Sequence, residues 1–179
     1  MRKWFFIALC VAVLAAFGVL VSCASEGAEY YVRFKAEGQT YELAKGFSDI
    51  ANGDAVAVVS EETYLALTGT TDNIDTSAIG DDETEVQNAV FIVLIGTSTG
   101  TYDKGLGGIE IEFVILDSVE YNVNALSVTV TAVNEVGSTV EGTFTATITP
   151  EGGGDPIEIT EGEFKLYRAE DDLISPPPD

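Results

Sequence analysis

Cys23 ends an apolar run from Trp4 to Val21 that follows basic Arg2 and Lys3. A positive start, an apolar stretch of secretory length and small residues before the cysteine form a cleavable export signal that closes on a thiol. An uncleaved membrane helix is the alternative, because these 18 residues reach the lower limit for spanning a bilayer. Carboxylates supply the other candidate chemistry. Asp72, Asp75, Asp81 and Asp82 lie together between Thr68 and Gln87 and form a candidate calcium site, since that ion takes six to eight hard oxygens. Their spacing does not reproduce the alternating Asp-x-Asp-x-Asp-Gly loop, so a solvated acidic loop competes with that reading. Glu110 and Glu112 would share one face of a strand about 7 Å apart, and facing acids are what glycoside hydrolysis needs. Tyr31, Tyr102, Tyr121 and Tyr167 fall in or beside predicted loops and outward faces. There, aromatic rings with a polar tip could bind a protein or glycan, or cap the edges of the core. Gly100, Gly105, Gly107 and Gly108 precede no Gly-Lys-Ser or Gly-Lys-Thr, so they are turn glycines rather than a phosphate cradle.

Absent residue types narrow the chemistry further. The chain has no histidine, and its two cysteines are Cys10 inside the leader and Cys23 at its end. The domain beyond Cys23 therefore has no disulfide, none of the usual zinc ligands and neither form of His-assisted nucleophile. No cofactor is implied. Net charge is -22, and losing Arg2 and Lys3 with the leader leaves 6 basic against 30 acidic residues, a net of -24. Nucleic acid is a poor partner for such a surface, because phosphate binding depends on clustered Lys and Arg. The same charge favours solubility and a monomer, while it could draw cations or a basic partner.

The elements that must position these residues are strands. Tyr30, Val32, Phe34 and Ala36 alternate with Tyr31, Arg33 and Lys35, and Glu37-Gly38-Gln39 turns the chain into Thr40 to Leu43. Strands are also predicted over Ala55 to Val59 and Tyr64 to Leu67. Ala89 to Ile95 is a continuous apolar run suited to a central strand covered on both faces. Ile109, Ile111, Phe113 and Ile115 then alternate with Glu110 and Glu112, and Leu126, Val128, Val130 and Ala132 with Ser127, Thr129 and Thr131. The clearest period-two pattern sets Val140, Gly142, Phe144, Ala146 and Ile148 against Glu141 and Thr143, Thr145, Thr147 and Thr149. After Gly152-Gly153-Gly154, the inward phase moves from Ile157 and Ile159 to Phe164 and Leu166, which requires a bulge near Glu161-Gly162. Nine or ten short strands without a helical pattern predict an all-β fold. An antiparallel β-sandwich is the first expectation and a β-barrel the alternative. The expected organisation is a signal over 1–22, a tether over 23–29, one domain over 30–169 and a Pro-rich tail over 170–179.

Leu20-Val21-Ser22-Cys23 resembles a bacterial lipobox. That resemblance implies that Cys23 becomes the lipidated first residue of the mature protein, which would then meet the membrane through its acyl chains. Ala24 after the cysteine is unlike an inner-membrane retention signal, so the outer membrane is the implied address, with its periplasmic or surface face left open. From Ala89 onward the order of motifs resembles a group of small bacterial lipoproteins, mostly of Bacteroidetes, with a C-terminal β-sandwich and no assigned activity. The motifs are Ala89 to Ile95, Gly100-Thr101-Tyr102, Gly142-Thr143-Phe144 and Ile159-Thr160-Glu161-Gly162-Glu163-Phe164. The resemblance implies a fold and an address, and brings no catalytic residues with it. Two function classes follow: a non-catalytic envelope module that binds a protein or glycan or supports the envelope, and a small carboxylate-dependent glycoside hydrolase.

Overall fold

The computed structural model describes residues 29–46, 54–60, 63–72 and 86–170. The expected signal over 1–22, Cys23, nearly all of the expected tether and all but the first residue of the expected tail lie outside these residues. Ten strands follow one another: β1 (Tyr31–Ala36), β2 (Gln39–Leu43), β3 (Val56–Ser60), β4 (Tyr64–Thr70), β5 (Ala89–Ile95), β6 (Gly100–Asp103), β7 (Ile109–Leu116), β8 (Val119–Val133), β9 (Thr139–Pro150) and β10 (Ile157–Arg168). A 3-10 turn, Lys104–Leu106, joins β6 to β7.

The all-β expectation holds, and the sheet closes in the alternative form, as a seven-stranded barrel rather than a sandwich. Its wall runs β3-β4-β5-β7-β8-β9-β10 and returns to β3 through a short parallel pairing of Tyr167 with Val56 and Arg168 with Ala57. Closure gives each strand of the wall a neighbour on both sides along part of its length, so none is an edge strand throughout. Hairpin β1-β2 adds to β10, and β6 adds to β8, as branches off it.

Long strands that change neighbours explain the closure. β10 pairs with β1 through Ile159–Lys165 and with β3 through its last two residues, while β9 covers its other edge. β8 likewise pairs with β7 at Val119–Tyr121 and with β6 at Ser127–Val130. Such strands must bend, and bulges let them do so while increasing local twist. In β10 the register shifts between Ile159 and Gly162 where Glu161 has φ 51°, at the bulge predicted from the sequence. In β8 it shifts between Val123 and Ala125 and again between Val130 and Ala132.

Two hairpins are closed by two-residue turns with both φ positive: Glu37-Gly38 at 50° and 78°, and Asp117-Ser118 at 51° and 63°. That is the mirror-image turn whose twist matches the flanking strands. Asp117-Ser118 lacks the usual glycine, and its surroundings hold it: Asp117 N donates to buried Asn88 Oδ1 at 2.9 Å and Ser118 N to the Gln87 carbonyl at 2.8 Å.

Side chains from the wall and from hairpin β1-β2 meet in one core, with Phe34, Leu43, Leu65, Leu94, Leu116, Ile148, Ile159 and Leu166 fully buried. Phe34 stacks on Tyr41 at 5.2 Å and meets Phe144 edge-on at 5.8 Å. Beside them Gly142 pairs with Phe164 and Gly162 with Phe144. A Cβ on Gly142 would run into the Thr129 carbonyl oxygen and the Phe164 ring, and one on Gly162 into the Phe144 carbonyl oxygen and ring. Each phenylalanine thus covers the glycine of the other strand.

β7 departs from the expected phase. The pairing with β5 shifts between Val93 and Leu94, which makes Glu110 an extra residue on β7. Beyond it Val114 and Leu116 face the core, while Phe113 and Ile115 are only half-buried on the other face.

Gly162→Ala should cost about 1–3 kcal/mol, the usual penalty of overpacking, and lower Tm by about 2–4 °C per kcal/mol at this chain length. Gly152→Ala, with nothing within 4 Å of its new methyl, is the control that should leave Tm unchanged. Thermal denaturation giving equal Tm for both variants would refute the glycine requirement.

Candidate functional site

The structure scatters the sequence-predicted residues and gives most of the described ones structural work. Asp75, Asp81 and Asp82 lie outside the described residues. Asp72 sits just past β4, where its carbonyl accepts from Thr70 Oγ1 at 2.6 Å and its carboxylate from Thr71 Oγ1 at 3.2 Å. Among the described residues no group of three or more acids gathers to hold a metal ion.

Each tyrosine has a local role. The Tyr31 ring lies under the Arg33 guanidinium at 4.5 Å, and Tyr167 meets Tyr30 edge-on at 5.4 Å. Tyr102 is in β6 rather than a loop; it packs over Gly96 and its hydroxyl donates to the Ser98 carbonyl at 2.7 Å. Tyr121 is in β8, half-buried against the core. It stands seven residues from Val128, the partner of Tyr102, which is roughly 23 Å of strand. Tyr102 and Tyr121 therefore belong to different parts of the wall.

Glu110 and Glu112 do not share a face. The β7 bulge leaves Glu110 exposed, whereas Glu112 pairs with buried Ile92 and turns inward. Lys104 reaches it from the 3-10 turn, forming an ion pair with Glu112 and donating to the Val123 carbonyl at 2.8 Å. Glu112 is 17% exposed, so this pair is largely removed from water. It bridges the gap where β7 and β8 part.

That same parting creates a concave surface. Between Tyr121, where the β7 pairing ends, and Ser127, where the β6 pairing begins, β8 has a neighbouring strand on one edge alone. A groove of about 330 Å³ opens there. Its lining includes the small residues Gly105, Ala125 and Ala146, the last of which is buried in the core together with Leu126. Around it stand Asn124, Ser127, Thr145 and Thr147, with Asp103 from the end of β6 on one side and Glu158 from β10 on the other.

Hydrogen bonds fix this polar rim. Thr147 Oγ1 donates to the Glu158 carboxylate, 3.2 Å from each oxygen, and Asn124 Nδ2 donates to Thr149 Oγ1 at 2.6 Å. Farther along the same face Thr101 and Thr129 share a hydrogen bond at 3.0 Å. Hydroxyls, an amide and two carboxylates in a shallow trough can hold a ligand by hydrogen bonds and charge.

No protein-family model, curated protein or solved structure matches this chain. The outward threonines of β9 were legible as a wet face from alternation alone. The contribution of Asp103 and Gly105 was not, because it depends on β6 pairing with a strand 24 or more residues later.

Lys104→Met should lower stability by about 1–3 kcal/mol, because it leaves a largely buried carboxylate without its partner. Adding Glu112→Leu should restore part of the loss, so that the double variant falls short of the sum of the singles in urea denaturation. Strict additivity would count against the pair as a pin across the gap.

Proposed function

We propose that the protein is a lipid-anchored module of the bacterial cell envelope that binds rather than catalyses. Its recognition surface is the polar groove on β6, β8, β9 and β10. The groove itself carries this reading: its lining places hydrogen-bonding groups beside small residues on the sheet, a makeup that can hold a ligand. The absence of histidine from the sequence, and of any mature cysteine besides Cys23, favours binding over acyl transfer. Asp103 and Glu158 stand three strand spacings apart and are offset by two residues along the strands, roughly 16 Å of sheet. Glycosidase carboxyl groups sit about 5–9.5 Å apart.

The anchoring half of the reading is supported by the leader and by the resemblance of Leu20 to Cys23 to a lipobox. An outer-membrane address agrees with the motifs shared with Bacteroidetes-type lipoproteins. A monomer suits the high negative charge.

Cys23→Ser in the full-length chain should abolish labelling by palmitate and release the protein from the membrane fraction. Retention of both label and membrane association would rule out this anchor. For the binding half, amide exchange over Asn122 to Leu126 should be slower in native envelope membranes than in the purified mature protein, because a seated ligand covers the open edge of β8. Equal exchange in the two settings would remove the groove as the recognition surface.

A further inference from the structure

Resting on the groove as the recognition surface, we infer that its ligand is an extended basic peptide segment with cationic side chains four residues apart. Charge selects the class. The groove has a carboxylate at each end, Asp103 and Glu158, and no Lys or Arg among its lining residues. The adjacent cation in sequence, Lys104, is committed to Glu112 and the Val123 carbonyl. An anionic ligand would meet uncompensated negative charge on a chain of net charge -22.

The lining favours a peptide over a sugar. It contains no aromatic ring on which a pyranose could stack. It has instead Asn124, Ser127, Thr145 and Thr147, whose hydroxyl and amide groups can serve the carbonyls and N–H groups of an extended backbone.

Spacing gives the register. From β6 to β10 across β8 and β9 is three intervals of about 4.8 Å, and Glu158 pairs with Thr147 whereas Asp103 aligns with Ser127 and Thr145, so a two-residue offset brings the separation to roughly 16 Å. An extended chain rises about 3.4 Å per residue, so four residues rise about 14 Å, side chains at i and i+4 point to the same side, and the long cationic side chains cover the remaining distance. One cation then reaches Asp103 while the other reaches Glu158. Ala125 and Gly105 leave room for the backbone between them.

The probe is the blocked pentapeptide Lys-Gly-Ser-Gly-Lys, titrated into the mature chain carrying Cys23→Ser and followed by two-dimensional NMR. Comparison probes are Gly-Lys-Lys-Ser-Gly, the same five-residue length with adjacent charges, and a neutral linear hexasaccharide. The spaced peptide should shift the signals of Asn124 to Ser127 and Thr145 to Thr147, and should bind more tightly than the adjacent-charge peptide. Asp103→Asn and Glu158→Gln should each weaken it about 2–5-fold, the range of an exposed ion pair. Ala125→Trp, at an exposed position of the lining, should abolish it, and Glu110→Gln, an exposed acid away from the groove, should change nothing. Should the tryptophan variant unfold, the two charge variants carry the test.

Affinity indifferent to Asp103→Asn and Glu158→Gln would mean diffuse attraction to an acidic surface and would overturn the inference. So would equal binding of the two peptides. A hexasaccharide that shifts the groove signals while the peptides do not would also overturn it, yet leave the groove as a recognition surface. Silence from all three probes would overturn the peptide assignment, and exchange in native membranes would then decide whether the groove is used at all.

Discussion

The exchange of aromatic cover between β9 and β10 is the constraint on which the rest of the structure depends. Phe164 lies where a side chain on Gly142 would have to go, and Phe144 lies where one on Gly162 would go. Both pairs are in direct cross-strand register, so the two strands can adopt only one alignment. A slip by one residue would put phenylalanine opposite threonine or glutamate and turn Phe144 and Phe164 out of the core. Glycine in a strand normally weakens it, and an aromatic ring laid across it compensates. The Gly-Thr-Phe and Gly-Glu-Phe segments are therefore one device used twice in opposite directions.

From this alignment follow the bulge and then the barrel. With Gly162 fixed against Phe144 and Ile159 against Ala146, two residues, Thr160 and Glu161, remain in β10 between paired positions. The strand accommodates them by turning Glu161 into positive φ. Beyond Lys165, four residues past the turn, β10 leaves β1 and reaches β3 at Tyr167, which closes the wall. β8 answers on the other side with its own shift at Val123 and Ala125, and there its partner changes from β7 to β6. The groove is the by-product of that second corner. A strand that changes neighbours has a stretch with one edge uncovered, and Lys104 holds the opening in place by gripping Glu112 on one side and the Val123 carbonyl on the other.

Period-two alternation made the strands legible because burial on one face acts on each residue separately. It placed β1, β9 and β10 closely, while continuous apolar runs placed β3 and β5 and a turn signal placed β2, and the phase change near Glu161 was visible as a switch from odd to even apolar positions. What alternation could not show is pairing. The turn at Asp117-Ser118 has neither glycine nor asparagine, so β8 appeared to begin at Leu126 rather than Val119. Its positive φ values are held by Asn88 and Gln87, which lie about thirty residues earlier. Glu110 and Glu112 misled for a related reason: their i, i+2 spacing promises a common face unless a bulge separates them, and this bulge is dictated by β5. Barrel and sandwich likewise share one alternation pattern. The two parallel pairs between β10 and β3 decide between them, and nothing in either segment alone announces that contact.

Placement of the few cations completes the picture of the surface. Arg33 pairs with Glu42 at 2.8 Å and Glu163 at 2.9 Å, and Lys35 with Glu161 at 2.7 Å, all on the β2-β1-β10 side. Lys104 faces inward to Glu112. These three basic side chains offset acids that the fold brings together at its bulge and at its gap, where clustered negative charge would oppose closure. Exposed pairs of this kind contribute little each to stability, but their location matters for the field. They offset acids on the side where β1 and β2 branch from the wall, whereas Asp103 and Glu158 at the groove have no Lys or Arg among the residues lining it. The groove lining thus presents carboxylates and hydroxyls with no basic side chain among them. A cationic partner approaching the barrel would be oriented toward the groove before any contact forms.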